Sequence, residues 1–333
     1  MIKELHFKNF KILRDARVPL GPMTLLVGPN GSGKSTVLEG LRLLHGNAGL
    51  DFAELKTIGS DVETVELSAH LSGVDAGVIT LRQWGKTPDK NRVGKELVNR
   101  EQCDANRIQS ELASIRVFAF DPRKIQQPAH LQTVTTLAED GSGLAAVLDE
   151  LSSKHYERFD ALNAEVARWF REYDRIMFEV PSPGQKSFML RNKRDHHAIP
   201  ARFLSHGTLV ALAILALAYL PNPPTTVGIE EPEHGVHPRL LQDIKDALCR
   251  LAFPESVGET RPAVQVVATT HSPYLLDMFR DSPEDVVIAN RDADGVSFNR
   301  LSELPNIRQI LGESPPLGDL WYSGILGGIP AQP

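Results

Sequence analysis

Four short stretches of this chain combine residue types that handle phosphate. Gly28-Pro29-Asn30-Gly31-Ser32-Gly33-Lys34-Ser35 is a glycine-rich turn closed by a lysine and a hydroxyl, the P-loop pattern. Its glycines let consecutive backbone N–H groups curl round phosphate oxygens, Lys34 meets the β/γ charge, and Ser35 offers a hydroxyl to Mg2+. Asn30, Gly31, Gly33, Lys34, Ser35 and Thr36 are therefore the expected nucleotide contacts. Glu230-Glu231-Pro232 closes an apolar run that starts at Thr225. That places Glu230 on the metal side and Glu231 as general base toward an attacking water, a role worth about 10²–10⁴-fold in rate. Alone, the pair also fits two solvated carboxylates. Val266–Thr270 leads into His271, whose imidazole can touch a γ-phosphate and sense its loss, or simply hydrogen-bond within a turn. Leu204-Ser205-His206-Gly207-Thr208 opens a long apolar helix expected to start near Gly207 and run to Pro221, with Ser205 as its N-cap. Such a helix end binds anions. Lys34 already serves the chain's own nucleotide, so Ser205–Gly207 implies a nucleotide held by a second copy, against the plainer reading as a capped core helix.

These residues need strands and helices that deliver them to one place. Met23–Val27 is the apolar strand expected before the glycine turn, and Ser35 to Leu44 the helix after it, ending before Gly46. Ile2 to Leu13 reads as strand, turn, strand; Val62–Leu71 and Val78–Trp84 read as strands of a meander, followed by a polar, basic loop to about Arg100. Ile115–Phe120 is a further strand. Leu144, Leu148, Leu151, Phe159, Leu162, Val166, Phe170 and Tyr173 fall at helical steps, in one long helix or two joined. Phe178–Val180 and Ser187–Leu190 suggest a hairpin around Pro181-Ser182-Pro183-Gly184. From Ser205 to about Asn290, helix and strand alternate, which is α/β logic.

The bulk numbers exclude several classes. At 333 residues the chain can bury a large core, and two lobes fit better than one. The net charge of −6 carries no global basicity that would advertise nucleic acid. Cys103 and Cys249 form no metal pattern and suit a reducing, cytoplasmic setting. The apolar run from Leu209 to Leu220 is too short for a bilayer, which needs about 20 residues. His234 and His237 precede Pro238 in a loop, so a metal pair is disfavoured. Asp292-Ala293-Asp294 resembles a nuclease DxD, but Asp294-Gly295 is better explained as a hairpin turn between Val286–Ala289 and Val296–Phe298.

Together the motifs resemble the RecF/SMC/OLD branch of ABC-type ATPases, over essentially the whole chain. Ile2-Lys3-Glu4-Leu5 and Lys8-Asn9-Phe10-Lys11 look like that branch's first strand and Asn-Phe turn. Glu230-Glu231-Pro232-Glu233-His234-Gly235-Val236-His237-Pro238 looks like its acidic stretch, Ala268-Thr269-Thr270-His271-Ser272-Pro273 like its histidine switch, and Leu317-Gly318-Asp319-Leu320-Trp321 with Gly327-Gly328 like a recurring end of small stand-alone members. The resemblance implies an α/β ABC-type ATPase head, a P-loop core with an N-terminal antiparallel sheet, plus an inserted helical lobe. The expected division is 1–120 for the first part of the core, 121–200 for the helical lobe and hairpin, 201–310 for the second part of the core, and 311–333 for a tail. His206 stands where Gly or Asp is common, which would alter the γ-phosphate contact or make closure sensitive to pH. Glu230 replaces the more usual Asp. The Q-loop glutamine is not obvious; Gln126 and Gln127 are the candidates. The roughly 170 residues between Ser35 and Ser205 allow a compact lobe and no long coiled coil, and a bare head without an appended nuclease domain is the expectation.

The resemblance thus implies ATP and Mg2+ as ligands and a head-to-tail dimer with a second copy. It also implies a separately encoded effector, of the kind found in bacterial anti-phage or toxin-like systems. The competing reading is a RecF-like ATPase that clamps DNA in repair or replication. Two basic clusters allow it, Arg82, Lys86, Lys90, Arg92, Lys95 and Arg100, and separately Lys186, Arg191, Lys193 and Arg194. Both also fit solvated loop surface, given the negative net charge.

Overall fold

A computed structural model describes residues 1–46, 52–57, 60–71, 77–84, 93–98, 105–130, 135–292, 295–305, 307–313 and 316–327. In chain order the elements begin with β1 (Ile2–Phe10), β2 (Leu13–Pro19), β3 (Met23–Val27), α1 (Lys34–His45), α2 (Phe52–Leu55), β4 (Thr64–Leu71), β5 (Gly77–Trp84), β6 (Val93–Val98), α3 (Ala105–Ala113) and β7 (Ile115–Phe118). They continue with α4 (Pro122–Ile125), β8 (Ala129–His130), α5 (Leu144–Lys154), α6 (Tyr156–Trp169), β9 (Tyr173–Glu179), β10 (Gln185–Asn192), β11 (Ala198–Pro200) and α7 (His206–Ala218). Then follow β12 (Thr226–Glu230), α8 (Leu241–Ala252), β13 (Gln265–Thr270), α9 (Pro273–Asp277), β14 (Val286–Arg291), β15 (Val296–Arg300), α10 (Ile307–Glu313) and α11 (Leu317–Tyr322).

The chain divides into two units, one of Met1–Val117, Pro224–Ile229 and Thr260–Pro333, the other of Phe118–Pro223 and Glu230–Glu259. Two sheets build the first unit. A mixed sheet has the order β15-β14-β3-β13-β12-β7, and an antiparallel sheet the order β2-β1-β4-β5-β6. β3 and β13 are buried at every position. Continuous burial is what a parallel strand covered on both faces requires, and explains why they read as apolar runs rather than alternations. α1 turns Val37, Leu38, Leu41 and Leu44 into the core. Its Gly40 lies so near β1 that a Cβ there would sit 2.6 Å from the Phe7 ring. Gly46 takes φ 101 and closes the helix by donating its N–H to the Leu43 carbonyl.

The second unit packs α4 and α8 against α7, and α5 and α6 against the antiparallel β9–β10 hairpin. α7 is apolar all round, buried at every position from Leu209 to Ala218, as a helix enclosed on all sides must be. Asn163 ties α6 to β9: its Oδ1 accepts the Ile176 N–H at 2.8 Å and its Nδ2 donates to the Phe159 carbonyl at 3.0 Å.

Three expectations need correction. The loop expected up to Arg100 contains strand β6, paired antiparallel with β5 from Val78↔Val98 to Gln83↔Val93. The helical stripe, found as two joined helices that part at His155, stops short of Tyr173, which opens β9. The helix expected from Gly207 to Pro221 spans His206–Ala218. Among the described residues, no helix is long and apolar enough to cross a membrane. Gly328, Ala293, Asp294, Cys103, Lys86, Lys90, Arg92 and Arg100 lie outside the described residues.

Candidate functional site

In the first unit, the glycine turn joins the buried end of β3 to α1. Parallel pairing sets Val27 level with Thr270 of β13 and Ile288 of β14. Gly28, His271 and Ala289 therefore continue beyond one level of the sheet. Gly28 tolerates no side chain, because a Cβ would lie 2.7 Å from both the Ala289 carbonyl oxygen and Ser32 Oγ. Gly31 and Gly33 take φ 74 and φ 92, which only glycine adopts freely. The N-terminus of α1 has neither a side-chain cap nor an acidic residue in its first turn, so its dipole is left to favour an anion. Lys34 is buried and folds back over the turn, its Nζ donating to the Gly28 carbonyl at 2.7 Å and the Pro29 carbonyl at 2.9 Å. Ser32 Oγ is buried without a hydrogen-bond partner, at a cost of about 1–3 kcal/mol. A cradle built this way fits a polyphosphate.

His271 is exposed and stands between Thr270, whose Oγ1 accepts the Ser272 N–H at 2.9 Å, and the start of α9. Ser272 caps α9 by accepting the Leu275 N–H at 3.3 Å, with Pro273 as its first residue. Sequence reasoning missed Arg291. It ends β14, and its Nη1 donates to the Gly31 carbonyl at 3.3 Å. Its signal was position alone, a charged residue closing an apolar run as Glu230 and His271 do.

In the second unit, Glu230 is the last residue of β12, whose preceding residues belong to the mixed sheet. Glu231 then adopts φ 45, in the left-handed region. For a glutamate this stores of order 1–2 kcal/mol of backbone strain, the kind kept where a side chain must be aimed. The turn is held by the His234 N–H donating to the Glu231 carbonyl at 2.9 Å, and His234 Nδ1 lies 3.7 Å from Glu231 Oε2. Glu230, Glu231 and His234 line a pocket of about 220 Å3 with Ala119, Phe120 and Val210. Ser205 caps α7, its Oγ accepting the Thr208 N–H at 3.1 Å. Ser205 and His206 are exposed while Gly207 is buried, where a Cβ would collide with the Gly235 carbonyl oxygen. The helix end and the turn after Glu231 are thus in direct contact.

Gln126 ends α4 half-buried, and exposed Gln127 donates Nε2 to the Arg123 carbonyl at 3.2 Å; neither lines that pocket. His237 Nδ1 accepts the Arg239 N–H at 3.2 Å, the cap of a short 3-10 turn. Among the described residues no group of three His, Cys, Asp or Glu could hold a metal by itself. The second basic cluster is occupied by its own unit: Lys186 pairs with Asp149, Arg191 with Asp174, and Lys193 donates to the Ala167 carbonyl.

Two family models match, each over more than half of the chain. One, described as "AAA ATPase domain", matches residues 1–176, and the other, described as "AAA domain, putative AbiEii toxin, Type IV TA system", matches residues 99–277. The chain belongs to the AAA ATPase domain family. Within it, this ATPase is of the ABC-type branch, homologous to OLD nuclease and RecF. It is 25% identical over 342 aligned residues to an OLD nuclease of Thermus scotoductus, a match that covers 88% of this chain and 63% of that protein. It is 32% identical over 117 residues to the DNA replication and repair protein RecF of Proteus mirabilis, covering 34% of this chain and 31% of RecF. The chain therefore spans less than two thirds of the length of these curated relatives. Its fold is similar to an SMC head domain from Thermotoga maritima, with a TM-score of 0.53 at 13% identity, covering 90% of this chain and 98% of that one.

Proposed function

We propose that this ATPase is a Mg2+-dependent ATP hydrolase that closes head to tail with a second copy around two ATP molecules. The observation that carries the reading is the cradle at the start of α1: a helix end without a cap, two left-handed glycines and a lysine held over the turn. Lys34 leaves the Gly28 and Pro29 carbonyls for the β/γ oxygens, where it neutralises charge. Ser35 and Glu230 would hold Mg2+; both offer hard oxygen donors, as suits a cation that keeps several waters. When bound, Mg2+ neutralises charge on the phosphate oxygens. Glu231 takes the proton of a water whose oxygen bonds to the γ-phosphorus, while the bond to the β–γ bridging oxygen breaks and ADP leaves. His271 donates an N–H to a γ oxygen and loses that acceptor when phosphate departs. Ser205, His206 and Gly207 present the start of α7 to the second copy's γ-phosphate. Shifting an equilibrium from 1:99 to 99:1 takes about 5.5 kcal/mol of differential affinity, within reach of two shared triphosphates.

The closure switches a separately encoded effector in a defence or toxin-like system. The supports are the toxin–antitoxin description of one family model and the likeness to an OLD nuclease. Similarity to RecF favours a second reading, a DNA clamp; the internal pairing of Lys186, Arg191 and Lys193 weighs against it.

The shared site is tested by mixing two inactive variants. Ser205→Arg fills the anion site at the start of α7, and Lys34→Ala empties the P-loop. A mixed dimer has one site lacking both parts and one intact site, so partial ATPase recovery on mixing is expected. Full activity of Ser205→Arg as a monomer would end the head-to-tail account.

A further inference from the structure

The segment after α10 grips the helix that follows His271. α9 is a helix of only five residues, too short to be stable without tertiary contacts. α11 packs along it, burying Leu317, Leu320 and Trp321 alongside Leu275 and Leu276. The backbones meet at Gly318, where a Cβ would lie 2.6 Å from Pro273 Cβ and 2.7 and 2.9 Å from the Pro273 carbonyl oxygen and carbon. Its N–H donates to Asp277 Oδ1 at 2.7 Å. The first and last residues of α9 are thus both held by one residue of α11. Trp321 Nε1 is buried without a partner, so α11 is seated at a polar cost that its apolar face must offset.

The same segment has a second anchor. Past α11 the chain turns back, Ile325 donating its N–H to the Leu320 carbonyl at 3.1 Å, and Gly327 takes φ 80. A Cβ at Gly327 would lie 2.5 Å from Asn290 Oδ1. Asn290 belongs to β14, two residues beyond the Ile288↔Val27 pair, and its neighbour Arg291 donates to the Gly31 carbonyl. The segment therefore bridges α9, which follows β13, and the end of β14 beside the P-loop, β13 and β14 being the strands that flank β3.

We infer that Leu317–Gly327 is a strap that fixes His271 relative to the P-loop, with Gly318, Asp277 and Asn290 as positioning residues. The inference rests on the reading of His271 as the contact to the γ-phosphate. Gly318→Ala forces α9 away from a backbone that cannot yield, and a misplacement of about 1 Å can cost up to 10²-fold in rate. Asp277→Ala removes the acceptor of the Gly318 N–H, whereas Asp277→Asn keeps an amide oxygen in its place.

The test is a double-mutant cycle on the full chain, reading kcat, KM for ATP and thermal midpoint. Gly318→Ala should lower kcat about tenfold or more, with KM within about twofold, and Gly318→Ala in a His271→Ala background should lower it no further. If Gly318→Ala does not fold, Asp277→Ala serves in the same cycle, with Asp277→Asn restoring the rate. Additive losses with His271→Ala, an unchanged kcat, or no rescue by Asp277→Asn would overturn the strap. Unchanged turnover in His271→Ala alone would instead overturn the reading of His271 on which it rests.

Discussion

Glu231→Gly separates the chemistry of the proposed base from the cost of its backbone. Glu231 sits at φ 45, a conformation that costs a side-chain-bearing residue about 1–2 kcal/mol. Glycine removes that strain but gives back about 0.5–1 kcal/mol through the greater freedom of the unfolded chain. The difference predicts a variant as stable as the parent, or more stable by up to about 1.5 kcal/mol. Loss of the general base should meanwhile slow hydrolysis by about 10²-fold or more. Glu231→Gln, which keeps the strain and removes the base, should match the parent in stability and the glycine variant in rate. Urea unfolding followed by circular dichroism measures the first quantity and phosphate release the second. A Glu231→Gly variant destabilised by more than about 1 kcal/mol would refute the strain argument, because the residue would then be stabilising its turn rather than straining it.

Gly28→Ala should weaken nucleotide binding and destabilise the fold by about 1–3 kcal/mol, since its Cβ would meet the Ala289 carbonyl at 2.7 Å; calorimetric titration with ATP and urea melts read both. Arg191 hydrogen-bonds Asp174 and holds its carboxyl below the usual value, so the pair stabilises the fold above the ordinary carboxylate pKa and loses that contribution as pH falls through the folded one. Arg191→Ala should therefore be less stable than the parent at pH 7, with the gap narrowing as the pH falls below the ordinary carboxylate range and through the lowered pKa of Asp174. Duplex DNA added with ATP should show no steep loss of binding with rising salt; a slope corresponding to several phosphate contacts would favour the clamp reading instead.

Local pattern exposed the parts of this molecule whose physics is local. The P-loop needs glycines between a buried strand and a helix, and the run Met23–Val27 followed by Gly28–Ser35 states both. Ser205 announced its helix because an N-cap is a property of a few adjacent residues. β6 was hidden because it lies at a sheet edge, where charged residues interrupt the apolar alternation that marks inner strands. Tyr173 fell at helical spacing by coincidence; α6 ends at Trp169 and the chain turns before β9. Arg291 and Gly318 act across large sequence separations, on Gly31 and on Asp277, and no window of neighbouring residues encodes such a contact. The backbone of Glu231 was equally illegible, since its strain is imposed by surrounding structure rather than by residue type.

The central claim is hydrolysis at one P-loop with Glu231 as the base, and phosphate release from Mg2+ and ATP tests it most directly. Parent, Lys34→Ala and Glu231→Gln should be compared at one protein concentration, with nucleotide retention measured on the same samples. The account predicts steady release by the parent, none by Lys34→Ala with no ATP retained, and release slowed about 10²-fold or more by Glu231→Gln with ATP retained intact. Equal release by all three proteins would contradict it.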